Sequence, residues 1–294
     1  MIEAEKANFN IVRMCELLEV SRSGYYDWLE RTAGPPGPAE ERRERLTAAV
    51  VQEHVDSDGV YGAPRITARL RHKGDLVTRK TVAKILRSLH LQGVSPRPYR
   101  VTTRPDEDVE PHPDRVNRVF DTGQLDRVWI SDITYLSTDE GWLYLAVVRD
   151  ACSRRVLGWA IEDHMRAELV EAALAMAVTL RGELPGKVIF HADRGSQYTS
   201  SAVARFAETN GLLCSSGRTG VCWDNAMAES FFASFKVEFY YRRIWPTRVE
   251  AKAAAGHWIE HVYNNRRLHS ALGMISPLEF ELTHHNKQAV AEAA

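Results

Sequence analysis

Three carboxylates stand where packing alone gives no reason for them. Asp132 lies in the middle of an apolar stretch, RVWISDITYLS at 127–137, with Ile130 and Thr134 on its own face if that stretch is a strand. Burying a lone carboxylate there costs several kcal/mol unless a cation or hydrogen bonds compensate it. Asp193 closes a second apolar run, KVIFHA at 187–192, and Glu229 falls early in a helix expected from about residue 225. Oxygen ligands without sulfur or imidazole favour Mg²⁺ or Mn²⁺ over zinc. Asn225, Glu229 and Lys236 are spaced four and seven apart, so they share a polar stripe on that helix. Phe231, Phe235 and Phe239 form an apolar ridge on another face, which would press the helix onto a sheet. Spacing alone leaves the structural roles open: Asp132 as a turn or edge residue, Asp193 as a turn cap, Glu229 as an exposed helix acid.

The elements that must position these residues follow from periodicity. Residues 127–137, 142–149 and 155–161 read as strands of an antiparallel meander, joined by turns at Asp139-Glu140-Gly141 and Cys152-Ser153-Arg154. A helix at about 167–181, a strand at 187–192, a helix at 200–210, a strand at 212–216 and a glycine-containing loop at 217–223 come next. Helices at about 225–242 and 247–264 follow, so this half is a mixed α/β layer structure. The other half is helical. Two short helices are expected within residues 1–31, a break at Gly34-Pro35-Pro36-Gly37-Pro38, then helices at 40–55, 64–73 and 78–91, the last capped by Thr78. Helix–turn–helix pairs of this size resemble DNA-binding units. Residues 94–124 carry five prolines and an acidic run, and read as an extended linker.

The 294 residues suffice for about two domains, and the 44% hydrophobic, 26% charged composition excludes wholesale disorder. The chain has no apolar run long enough to span a membrane and no secretory signal pattern, and its four scattered cysteines suit a reducing cytosol. The net charge of −1 seems to argue against a nucleic-acid partner, but it is a sum of opposites. Residues 60–104 hold eleven Lys and Arg against the single acid Asp75, so they carry +10 and the remainder −11. A solvated face normally mixes signs, and this imbalance favours a phosphate-contacting surface at Arg65, Arg69, Arg71, Lys73, Arg79, Lys80, Lys84 and Arg87. Arg266 and Arg267, beside His269, form a second cluster able to touch phosphate, and His191 leads into Asp193 where it could orient a neighbour or simply pack.

At these residues the sequence resembles a known family. WISDITYLST with GWLYLAVVRDACSRRVLGW, then HADRGSQYTS, GVCWDNAMAESFFASFKVE and YNNRRLHSALGMISP, are similar to the catalytic half of bacterial insertion-sequence transposases of the IS-three type. Thirty-five residues separate Asp193 and Glu229, the interval that family is known for, and SRSGYYDW and YGAPRITARLRHKG resemble its helix-turn-helix segments. The resemblance implies an α/β ribonuclease-H-like, integrase-type core at 125–282. An all-α helix-turn-helix region would precede it: a helical segment at 1–33, a basic DNA-binding region at 40–93 and a Pro-rich linker at 94–124, with a frayed tail at 283–294.

It further implies that Asp132, Asp193 and Glu229 hold two Mg²⁺ (or Mn²⁺) ions about 3.5–4 Å apart, with Asp132 bridging them. Water would first free a 3′-hydroxyl at the element end, which would then attack a target phosphodiester. Lys236 would contact DNA, and His191 and Asn225 would support the centre. The implied partners are double-stranded DNA, as terminal inverted repeats and as target, further copies of the chain on that DNA, and an upstream-frame partner or fusion. No membrane is involved, and the expected location is the bacterial cytoplasm, on the nucleoid. A nuclease that only hydrolyses would share the triad without joining strands, and a DNA-binding regulator would bind ends without metal-dependent chemistry.

Overall fold

The computed structural model describes residues 1–35, 37–95, 112–117, 119–184, 186–217 and 226–292, and only the backbone at 226, 228, 229 and 288–292. It divides into two compact units, Met1–Gln92 and Gly93–Ala294.

The first unit is helical. Sequence periodicity suggests two helices before residue 31, but three form: α1 (Ile2–Glu5), α2 (Ile11–Leu17) and α3 (Arg22–Ala33). They bury Ile2, Met14, Cys15 and Tyr25 together. The side chains of Asn10 and Ser21 accept hydrogen bonds from the first-turn amides of α2 and α3, satisfying donors that a helix start leaves open. Then α4 (Pro38–Asp56), α5 (Ala63–His72) and α6 (Arg79–Ser88) pack against one another. Thr78 caps α6 by accepting from the Thr81 amide. Ile66, Leu70, Val82, Ile85 and Leu86, at helical spacing on the last two, face inward.

The second unit is built on a five-stranded sheet: β1 (Val128–Thr138), β2 (Gly141–Asp150), β3 (Val156–Glu162), β4 (Val188–Ala192) and β5 (Leu212–Ser216). Their order is β3-β2-β1-β4-β5, with β1–β3 antiparallel and β4 and β5 added parallel. Side chains alternate across the sheet, so each face has its own core. On one face α7 (Ala167–Arg181) and α8 (Ser201–Thr209) cover Trp129, Ala146, Val148 and Phe190. Here β3 and α7 approach so closely that a Cβ on Gly158 would sit 2.0 Å from the Ala173 carbonyl oxygen. On the other face α9 (Ala226–Glu238) and α10 (Arg248–His257) cover Leu143, Leu145 and Val147, through the expected ridge of Phe231 and Phe235.

Several boundaries differ from the sequence reading. The helix expected at 225–242 ends at Glu238 and is followed by a 3₁₀ turn, Tyr240–Arg242; the one expected to 264 becomes π-helical over Trp258–Asn264. The end of the stretch read as a linker packs on the core, because Val116 is buried with Val128, Ile130 and Ala151, and the Arg115 amide donates to Ser215 Oγ at 3.0 Å. Residues 96–111 of that stretch lie outside the described residues. Most of the expected tail continues α11 (Pro277–Glu292), whose Glu281 is anchored in the core by Arg155, Arg181 and Ser153. No helix is long and apolar enough to cross a membrane among the described residues.

Candidate active site and nucleic-acid interface

Asp132 lies at mid-strand in β1, on the face toward α9. There Val128 and Ile130 are buried, and Met227 at the start of α9 packs against their cluster. It is half-buried, and its Oδ1 accepts from the Ile133 amide at 2.8 Å. Asp193 follows the last residue of the neighbouring strand β4, and its Oδ1 accepts from the Gly195 amide at 2.9 Å. The turn is close: a Cβ at Gly195 would stand 3.0 Å from that same oxygen and 3.0 Å from Gln197 Oε1, so a larger residue would push both side chains aside. Burial pushes the Asp193 carboxyl up, with the Gly195 hydrogen bond opposing.

Tyr198, buried in the core on the α7–α8 face, feels the charge of both aspartates. Its hydroxyl lies 3.0 Å from Ser131 Oγ. Burial first, then the charges of Asp132 and Asp193, hold its phenol well above the ordinary range. Lys236, half-buried on α9, closes the group from the other side. Burial lowers its ammonium pKa while Asp132 raises it, and its Nζ stands 4.7 Å from the Tyr135 ring centroid. Sequence reasoning quoted Tyr198 only as part of a motif; a tyrosine five residues after an aspartate carries no signal that it will bridge two strands.

Glu229 is in the first turns of α9, on the helix that covers the Asp132 face. Its side chain, like the whole of Asn225, lies outside the described residues. Among the described residues no group of three or more His, Cys, Asp or Glu side chains forms a metal site. His191 is buried, with Nδ1 at 3.0 Å from Ser215 Oγ and its ring edge-on to Phe120, so it ties β4 to β5.

The basic residues separate into two groups. Arg69 and Lys73 both turn to Glu53, a buried acid on α4, and Arg71 Nε donates to the Val77 carbonyl at 3.0 Å. Arg65 lies over the Tyr61 ring at 5.2 Å. By contrast Arg79, Lys80, Lys84 and Arg87 on α6 are exposed, and among the described residues they make no hydrogen bond or ion pair. Arg266 is exposed. Arg267, expected to touch phosphate, is instead 7% exposed and donates to both carboxylate oxygens of Glu238, at 2.6 and 2.7 Å, and to Ser234. Its charge is used inside the fold.

Known sequences place these features. The profile of the integrase core domain matches residues 124–222, a second integrase core profile matches 210–277, and an HTH-like domain matches 41–99. The transposase InsF for insertion sequence IS3A of Escherichia coli is 38% identical over 95% of this chain and 96% of its own length. The insertion element IS600 uncharacterized 31 kDa protein of Shigella sonnei is 35% identical over 94% of this chain and 100% of its own. Among solved structures, the catalytic core domain of BIV integrase aligns with a TM-score of 0.38 at 16% identity, covering 55% of this chain and 99% of that one. The chain therefore belongs to the IS3, or IS-three, type of insertion-sequence transposases: polynucleotidyl transferases with a DNA-binding helical region and an integrase core.

Proposed function

We propose that the chain cleaves DNA at the ends of its element and joins the freed 3′-hydroxyl strand to target DNA at one acidic centre, Asp132, Asp193 and Glu229. The observation that carries this reading is the parallel register of β1 and β4, which sets Ile130 opposite His191, so that Asp132 and Asp193 each follow two residues later on adjacent strands. Their donor chemistry fits a hard divalent cation: oxygen only, partly withdrawn from water, with the Asp193 carboxyl pushed up by burial in the way a bound cation would relieve. Glu229, on the helix laid over the Asp132 face, completes the set for two Mg²⁺ or Mn²⁺ ions. Bound there, such ions would supply Lewis-acid polarisation of the phosphate and neutralise charge on the attacking and leaving oxygens. The chain's own part is to hold the carboxylates in register through β1 and β4, to keep Asp193 turned by the Gly195 amide, and to offer Lys236 as a cation to the DNA backbone.

Residues 40–93 act as the DNA-binding region in this reading, with α6 presenting Lys80, Lys84 and Arg87 on the side opposite its buried Val82, Ile85 and Leu86. The segment 125–282 is the catalytic region and 1–33 a further helical module. One copy offers one acidic centre while an element has two ends, so the working form is at least a dimer on DNA, in the cytoplasm where the nucleoid lies.

The test is to incubate the protein with end-containing DNA, Mg²⁺ and a target plasmid. Joined products are expected; products only cut point to a hydrolytic nuclease, and only shifted DNA to a regulator. Asp132→Asn should abolish metal-dependent cleavage while leaving DNA binding nearly intact. Cleavage retained by that variant overturns the assignment.

A further inference from the structure

Three aromatic side chains of the second unit that share one neighbourhood are left in solvent although the same unit buries ten-odd others. Tyr135 on β1 is 58% exposed, Trp142 on β2 51%, and Tyr241 in the turn after α9 61%. Single exposed aromatics need no explanation, but these share a neighbourhood. Tyr135 and Trp142 lie on one sheet face across the β1–β2 ladder, their ring centroids 5.3 Å apart and nearly perpendicular. The Lys236 ammonium stands 4.7 Å from the Tyr135 centroid and 5.9 Å from that of Tyr241, so one cation joins rings from two elements. The same ammonium feels Asp132. Tyr135 stands three residue steps along β1 from Asp132, about 10 Å and on the opposite face of the pleat, and Trp142 pairs with Ser137, five steps or about 16 Å away; these spans equal about three and five stacked nucleotides at 3.4 Å per step.

Flat π-faces beside a lone cation, at that distance from a phosphate-processing centre, match the chemistry of an unpaired nucleotide: base on the rings, phosphate on the ammonium. We propose that Trp142 and Tyr135, with Lys236, form a stacking platform for an unpaired base of the DNA end, about three to five nucleotides from the phosphate that reacts. In an intact duplex base faces are covered by their neighbours, so the platform selects an end whose terminal pairs have opened and offsets the cost of opening them. Trp142 and Tyr135 are positioning residues, and their role rests on the assignment of Asp132 to the reacting centre.

The experiment separates the two. Asp132→Asn protein, which binds without cutting, is titrated with element-end duplexes carrying 2-aminopurine at each of the first few positions beside the cleavage point. Quenching is expected at one or two of them. Trp142→Ala should remove it and weaken end binding about tenfold, Trp142→Phe should restore most of it, and internal duplex should bind equally to all three. In Asp132-intact protein, Trp142→Ala should raise KM more than it lowers kcat, and a mismatched, already open end should recover part of the loss. Quenching that is absent, or unchanged in Trp142→Ala and Tyr135→Ala, overturns the platform, as does a change in oligomer mass without any change in DNA binding. Cleavage by Asp132→Asn overturns the acidic centre instead, and leaves the quenching pattern to be judged on its own.

Discussion

Helix α6 holds Arg79, Lys80, Lys84 and Arg87 out in solvent, whereas the catalytic unit draws Arg149, Arg155, Arg181 and Arg267 inside. Arg267 is clasped by Glu238; Arg155 and Arg181 share Glu281, and Arg181 also reaches Asp126 at 2.8 Å. Arg149, beside these, is 3% exposed, lies 5.3 Å from the Phe231 ring, and leaves Nε and Nη1 without a hydrogen-bond partner among the described residues. The contrast shows that positive charge by itself does not mark a DNA contact. A cation matched by a buried carboxylate is part of the fold; a cation left exposed keeps its full charge for an outside phosphate.

The largest effect expected from this contrast is on the inside. Glu281→Gln should cost about 3–5 kcal/mol in chemical denaturation, because it strands Arg155 and leaves Arg181 with Asp126 alone. Burial alone would raise the Glu281 carboxyl, but the hydrogen bonds and charges of its two arginines more than reverse this and hold it below the ordinary value. Its folded pKa is thus depressed, so the stability it contributes is complete above the ordinary pKa near 4.5 and is lost as pH falls through the lower folded value. Glu281→Gln should flatten that part of the stability–pH curve, and an unchanged curve would break the comparison.

On the outside, Lys80→Ala, Lys84→Ala and Arg87→Ala combined should leave the melting temperature nearly unmoved. Binding of any duplex should weaken, and the slope of log K against log salt should shrink by about 2.7, at about 0.9 per phosphate contact. An equal slope would return these residues to the status of a solvated helix face. The smallest effect belongs to Arg149. A hydrophobic group of similar volume removes a buried charge from the core, so Arg149→Met should be neutral or slightly stabilising in thermal melts. A marked loss of stability would mean that this guanidinium has a use the contrast overlooks.

Much of the architecture was legible because local periodicity reports local structure. The strand at 212–216 and the helix at 167–181 stand at the residues read from sequence, and Thr78 caps the helix it was expected to cap. Where reading failed, a distant contact decided. Val116 belongs to the core rather than a linker because three residues at least twelve positions away bury it. The chain end stays helical where Glu281 meets Arg155, 126 residues distant. Asp132, Asp193 and Glu229 were legible as an unusual set of acids.

Sequence by itself determined the element types, the acidic spacing, the charge asymmetry between the two halves and the family. Those properties are written in residue type and interval, which survive without knowledge of contacts. The tertiary structure alone decided which cations are spent. Glu53 takes up Lys73 from 20 residues away and Glu238 takes up Arg267 from 29, while among the described residues α6 keeps its charges unpaired. It also decided that Asp132 and Asp193 would stand on adjacent strands and that Tyr135, Trp142 and Lys236 would gather together. Ion pairing and stacking depend on distance in space, and the order of residues along a chain does not state that distance.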